Sequence, residues 1–197
     1  ATYVILEDSS VWSWGAGTTG RLGTGNTNNQ DYPTPVLGPN GIGVMDSAIA
    51  ITGQYQSGFV LRANGTVWGW GWNGVGGLGD GTYFNSRNSP VQVVEITTAV
   101  PLDSIVTISS GPGFGLALDQ DGTVWAWGKD NSGQIGQDVY GSYFLGAVKV
   151  KGPTGLGFLE NVISVKAGDN FALALRNDGT VWAWGEGELG LDLARYP

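Results

Sequence analysis

The sequence has no cysteine and no histidine, a single methionine, and only 9 Lys plus Arg against 17 Asp plus Glu in 197 residues. Lacking both Cys and His, the chain has no cysteine nucleophile, His-based triad or His general base, no zinc site of the usual kind and no His-ligated haem. A formal charge of −8 disfavours nucleic acids and anionic membranes, which attract basic patches. No stretch approaches the ~20 apolar residues of a spanning helix, and no basic segment followed by an apolar run opens the chain. What is abundant is glycine, at 35 residues, far above the average usage of about 7%. That is too much for a helical protein, while 41% hydrophobic residues are too many for a disordered linker. A turn-rich β protein remains, long enough to bury a core without disulfides.

The first residue is Ala1, so the sequence reads as a processed form or a piece of something longer. An acidic, Cys-free chain rich in Gly, Thr, Asn and Trp fits many secreted bacterial proteins, and the expected location is extracellular or at a bacterial cell surface.

Internal repetition sets the fold. The segments Val11–Gly15, Val67–Gly71, Val124–Gly128 and Val181–Gly185 each read Val-Trp-x-Trp-Gly, and their second Trp recurs at 14, 70, 127 and 184, with spacings of 56, 57 and 57. Ahead of them lie the apolar segments Val4-Ile5-Leu6, Phe59-Val60-Leu61, Leu116-Ala117-Leu118 and Leu173-Ala174-Leu175. Between the two sits a polar turn containing Asn64-Gly65, Asp121-Gly122 or Asp178-Gly179, with Glu7–Ser10 in the first copy. Asn-Gly or Asp-Gly between apolar runs is a hairpin signal, because both residues tolerate φ > 0. Further strands are expected at Ser47–Thr52, Ser104–Ser109 and Val162–Ala167, and a short apolar segment such as Pro90–Val94 closes a repeat. The turns Leu22-Gly23, Leu78-Gly79, Ile135-Gly136 and Leu189-Gly190 follow the Trp strand. About four short strands per 57 residues describe a propeller blade or a similar radial β repeat.

These residues resemble the repeat of the regulator of chromosome condensation family. The resemblance rests on the Leu-x-Leu segment, the Asp/Asn-Gly-x-Val-x-x-Trp-Gly core and the Gly133-Gln134-Ile135-Gly136 turn. It implies an all-β fold, a seven-bladed β-propeller built from repeats of fifty-odd residues. One departure stands out: the place before the Leu-x-Leu segment, often His in that family, is Phe114 and Phe171 here, a packing exchange.

The chain reads as one propeller domain, 1–197, with repeat units near 1–45, 46–102, 103–160 and 161–197, the first and last incomplete. That is about 3.5 repeats where the resemblance implies seven. Either the chain is part of a longer polypeptide with flanking repeats, or several copies associate to complete a ring; the first reading is preferred, since a symmetric dimer needs whole blades.

The periodic tryptophans Trp14, Trp70, Trp127 and Trp184 are assigned to slots between blades, and Trp12, Trp68, Trp125 and Trp182 to the same repeated core. Trp72 breaks the pattern, standing where other repeats carry Ala16, Lys129 or Glu186, and is a candidate contact residue. The loops after each Leu-Gly turn are where binding residues are expected on a rigid scaffold. Two share an aromatic pair, Tyr83-Phe84 and Tyr143-Phe144, with Tyr140 nearby and Tyr32 and Tyr196 in comparable places. These rings either cap a blade edge or form a rim for a protein or glycan, with Asp80, Arg87, Asn85 and Asp138 as polar contacts. The carboxylate pairs Asp119/Asp121 and Glu186/Glu188 invite comparison with glycosidases. Asp119 and Asp121 flank a hairpin turn, however, where Asp serves local backbone bonding. Asp130-x-Ser132 lacks the remaining ligands of a calcium loop.

No catalytic, cofactor or metal residue is assigned. The expected function is a non-enzymatic scaffold binding a protein partner through propeller loops, as the resemblance also implies through members acting on a small GTPase or on β-lactamases. The alternatives are a carbohydrate-binding module using Trp72 and the Tyr/Phe loops, and a structural subunit of a fibre or coat. The composition gives no reason to expect a nucleic-acid partner or membrane insertion.

Overall fold

The computed structural model describes residues 1–186. Glu188, Leu189-Gly190, Tyr196 and Pro197, with the end of the fourth repeat, lie outside the described residues. Four antiparallel sheets follow one another along the chain. The first holds β1 (Thr2–Ile5), β2 (Val11–Gly15) and β3 (Gln30–Pro35). The second holds β4 (Ala48–Gln54), β5 (Ser57–Arg62), β6 (Val67–Gly71) and β7 (Arg87–Gln92). The third holds β8 (Ile105–Gly111), β9 (Phe114–Asp119), β10 (Val124–Asp130) and β11 (Ser142–Lys149). The fourth holds β12 (Val162–Ala167), β13 (Phe171–Arg176) and β14 (Val181–Gly185). Each sheet is a meander, and β4, β8 and β12 pack one against the next. The sheets therefore radiate from a line of inner strands, as the blades of a partial β-propeller.

The core lies between blades. Val11, Met45, Val60 and Trp70 fill the first gap, Phe59, Leu78, Ala117 and Trp127 the second, and Leu116, Val124, Ala172 and Trp184 the third. A blade with neighbours on both sides is apolar on both faces. Thus β6 is buried at all five positions, while β2 and β14 are only partly covered. The first three Trp strands break register with their outer neighbour at the second Trp, between Ser13 and Gly15, Gly69 and Gly71, and Ala126 and Gly128. There the indoles cross to the preceding blade: Trp70 Nε1 donates to Arg21 O (3.0 Å), Trp127 to Gly77 O (3.1 Å) and Trp184 to Gln134 O (2.9 Å). The first Trp of each repeat points its N–H instead at its own turn. Trp12 donates to Ser10, Trp68 to Thr66, Trp182 to Thr180, and Trp125 to the Asp119 carboxylate.

The Trp-Gly pairing has a backbone cause. Gly71, Gly128 and Gly185 sit at φ of +100°, +100° and +104°, and a Cβ on Gly128 would fall 2.3 Å from Gly113 O. Gly128→Ala is expected to lower stability by about 2 kcal/mol, measured by urea unfolding, because both φ and the backbone contact forbid a methyl. At the hairpin turns Gly65, Gly122 and Gly179 take φ near +80°; Ser9 takes φ +63° in the first repeat.

Antiparallel pairing sorts the connections. The tight turns 62–66, 119–123 and 176–180 and the links between blades lie at one end, the turn end. The short turns between first and second strands and the loops after the Trp strands lie at the other, the loop end.

Candidate functional site

At the loop end, the segment after β6 is organised by Asn73, fully buried. Its Oδ1 accepts the Leu78 N–H (3.0 Å), and its amide donates to Asp80 Oδ1 and the Thr82 carbonyl, both at 3.2 Å. Asp80 also accepts the Thr82 hydroxyl (2.6 Å) and Arg87 Nε (2.8 Å). The Asp80 side chain is 5% exposed, so its charge is matched by Arg87 inside the loop. Asp80 and Arg87, expected to face a partner, are thus committed to holding the loop.

Fifty-seven residues on, Asp130 stands in the place of Asn73. Its Oδ1 accepts the Ile135 N–H (2.9 Å), while its buried Oδ2 has no hydrogen-bond partner. Burial pushes this carboxyl up to about 6, the Ile135 N–H opposing in part. Gln134, also buried, accepts the Ser132 N–H and leaves its amide nitrogen unpartnered.

Aromatic rings cap this scaffold. Tyr83 stacks on Tyr143 from the next blade, centroids 5.5 Å apart and planes 30° apart, and touches Phe84 at 3.9 Å. Phe84 is 70% exposed and Tyr140 69%. Desolvation, then the neighbouring Tyr143 phenol, raises the Tyr83 hydroxyl above the usual tyrosine range. The sequence pairs Tyr83-Phe84 with Tyr143-Phe144, but the backbone gives a different equivalence. Phe84 N–H bonds Asn73 O and Gly141 N–H bonds Asp130 O, both at 3.0 Å, so Tyr83 corresponds to Tyr140. Tyr143 and Phe144 already belong to β11, where residues alternate sides. Tyr143 faces out, and Phe144 packs on the core of the third gap.

Trp72 is half-buried, its indole covering Gly74 so closely that a methyl there would collide. The main-chain N–H of Trp72 donates to Gln56 O, as those of Lys129 and Glu186 donate to Gly113 O and Asn170 O, which places all three at one level of the loop end. There Lys129 Nζ donates to Asn170 (3.1 Å), and Asn170 and Ser132 donate to Glu186, both at 2.9 Å. Tyr32, 80% exposed, lies on β3, and exposed Asn85 stays beside Phe84. Asp138 pairs with Lys151 at 3.0 Å. Sequence reasoning missed Tyr55, 75% exposed at the tip of the β4–β5 turn with φ +56°. The signal was a tyrosine where the equivalent turns carry Pro112-Gly113 and Asp169-Asn170, an aromatic held in a conformation that non-glycine residues rarely adopt.

No helix among the described residues is long and apolar enough to cross a membrane. A family model for the regulator of chromosome condensation (RCC1) repeat matches residues 8–52, 64–118 and 121–175, and a second model of that repeat matches 105–134 and 162–190. Among curated proteins the chain is 30% identical over 186 residues to the mouse E3 ubiquitin-protein ligase HERC2, covering 93% of this chain and 4% of that protein. It is 29% identical over 195 residues to the Arabidopsis thaliana ultraviolet-B receptor UVR8, covering 94% and 39%. Among solved structures, human WBSCR16 superposes with a TM-score of 0.74 at 21% identity, covering 94% of this chain and 44% of that one. Yeast Prp20p gives 0.69 at 21% identity, covering 94% and 43%. The chain spans less than half the length of each of these proteins. With repeat matches over most of its length, inter-blade tryptophans at the same period and a propeller arrangement of sheets, the chain belongs to the regulator of chromosome condensation (RCC1) repeat family.

Proposed function

We propose that the chain is a non-catalytic scaffold that binds a protein partner through the aromatic loop end of its blades. The observation that carries this reading is the surface ring cluster of half-buried Tyr83 with exposed Phe84 and Tyr143, which joins two blades and stands on a loop whose charges are already matched internally. Rigid, solvent-facing aromatics of this kind supply contact area at low entropic cost and are typical anchors of interfaces. Tyr55, Trp72 and Tyr140 extend the same end. Yeast Prp20 was solved bound to Kap60 and was also studied for its binding to Gsp1p and histones, which supports protein binding as the use of such a surface. The ubiquitin-ligase name belongs to a relative of which this chain covers 4%, and is no reason to expect catalysis here.

The test is a pull-down with immobilised chain, comparing wild type with the triple variant Tyr83→Ala, Phe84→Ala, Tyr143→Ala. Because these rings sit on the surface of the loop end rather than in the core between blades, thermal unfolding should shift by no more than about 1 kcal/mol equivalent. Partners retained by wild type are expected to be lost by the variant. A partner set unchanged by the triple variant would overturn the reading. Binding to a glycan array that disappears with the same substitutions would move the assignment to a carbohydrate-binding module.

A further inference from the structure

The turn end carries a second surface, created by a charge reversal in one blade. Arg62, Asp119 and Arg176 end β5, β9 and β13 at equivalent places, each bonding its N–H to the carbonyl of Thr66, Thr123 or Thr180. The acids that face them are equivalent too: Asp46, Asp103 and Glu160, each followed by a residue at positive φ (Ser47, Ser104, Asn161). In the second blade Arg62 Nε donates to Asp46 O (3.1 Å), and its guanidinium also pairs with the Asp46 carboxylate. In the fourth, Arg176 Nε donates to Glu160 O (3.1 Å), and the guanidinium lies 3.3 Å from Asp178. The third blade keeps the acids and replaces the arginine with Asp119. No ion pair forms to Asp103, Asp119 or Asp121 among the described residues.

The result is a groove of about 270 Å³ lined by Glu95, Pro101, Asp103, Asp119, Asp121 and Trp125. Asp119 accepts the Trp125 indole N–H (3.0 Å) and the N–H groups of Asp121 and Thr123, which fixes its carboxylate against the ring. Lys149 is the cation beside Trp125, 5.2 Å from that ring and 5.4 Å from Phe158, and it forms no ion pair with the groove. We propose that this groove binds an arginine side chain of a partner protein, seated where Arg62 and Arg176 sit from within the chain in the adjoining blades. Two sister sites in the same molecule already hold a guanidinium at this place, Arg62 on the Asp46 carboxylate and Arg176 on the Glu160 carbonyl and the Asp178 carboxylate, and that, together with the charge, selects the occupant. A planar guanidinium also suits paired carboxylates better than an ammonium does. No group of three or more acidic side chains among the described residues is gathered closely enough to hold a metal ion.

The test uses the full chain with labelled tryptophan indoles, titrated at low salt with N-acetylarginine amide and, separately, with the neutral isostere N-acetylcitrulline amide. The Trp125 indole resonance is expected to shift saturably with the arginine compound alone, while Trp68 and Trp182, whose blades already hold an arginine, stay still. Asp119→Arg refills the site from within and should weaken binding at least about tenfold; Asp103→Asn, a milder change that leaves the turn's hydrogen bonds in place, should weaken it several-fold. The proposal fails if Trp125 moves no more than Trp68 and Trp182, if citrulline acts equally, or if Asp119→Arg binds as tightly as wild type. A Trp125 shift with calcium chloride but not with arginine would also overturn it. Retention of the loop-end partners by both variants separates this surface from the one proposed above.

Discussion

Replacing Trp127 with alanine is expected to remove about 3–5 kcal/mol of stability, the range for deleting a large aromatic from a closed core. Trp127 is 1% exposed and lies in the gap between the second and third blades, edge-on to Phe59 at 5.7 Å. Its indole N–H satisfies the Gly77 carbonyl on the preceding repeat, so truncation leaves a cavity and a buried acceptor unpaired. Because blades touch only their neighbours, the damage falls on one interface, and unfolding should lose cooperativity as well as midpoint. Trp12→Ala is the matched control: half-buried, bonded within its own turn to Ser10, it should cost about 1–2 kcal/mol. Urea titrations followed by circular dichroism measure both. A Trp127→Ala cost no greater than that of Trp12→Ala would refute the inter-blade role.

Asp130→Asn is expected to stabilise the protein above pH 6 and to flatten its pH dependence. The Asp130 carboxyl is fully buried, with one oxygen unpartnered, and is raised to about 6 from an ordinary value of 3.8. A carboxyl raised in the folded state favours folding in its protonated form. Its contribution is fully present below pH 3.8 and is lost as the pH rises through about 6. A shift of this size corresponds to roughly 3 kcal/mol as an upper bound. The second repeat shows that an amide fits: Asn73 occupies the same place with its Oδ1 on the equivalent Leu78 N–H. The difference in unfolding free energy between Asp130→Asn and wild type should therefore grow between about pH 4 and 6 and level off by pH 7. Parallel curves across that range would show that Asp130 is not titrating in the fold. The lowered carboxyls Asp8 and Asp178, held down first by the hydroxyls of Ser10 and Thr180, are exposed and act in the opposite sense at lower pH.

Much of this was legible in the sequence, for reasons specific to repeats. A buried slot that recurs every 57 residues leaves a periodic tryptophan, and a turn that needs φ > 0 leaves an Asn-Gly or Asp-Gly. The loop end was only half legible. Asp80 and Arg87 look like free charges until the fold brings Asn73 and Thr82 beside them. Tyr143-Phe144 looks like a copy of Tyr83-Phe84, yet the hydrogen bonds to Asn73 and Asp130 move the equivalence to Tyr140. Aromatic dipeptides carry no register of their own; backbone bonds assign it.

The amino-acid sequence by itself determined the blade: four short strands, a tight turn, and tryptophans paired with glycines that alone tolerate φ near +100°. These are local properties, set by backbone sterics and repeated side-chain volume. Only the tertiary structure decided which charges are spent and which are left over. Asp80 is neutralised from seven residues away, Asp130 is stranded in the interior, and Asp119 faces Asp103 where two other blades place an arginine. Electrostatic pairing depends on distances between segments that adjoin only after folding, and a charge acquires its role from what burial and proximity put beside it.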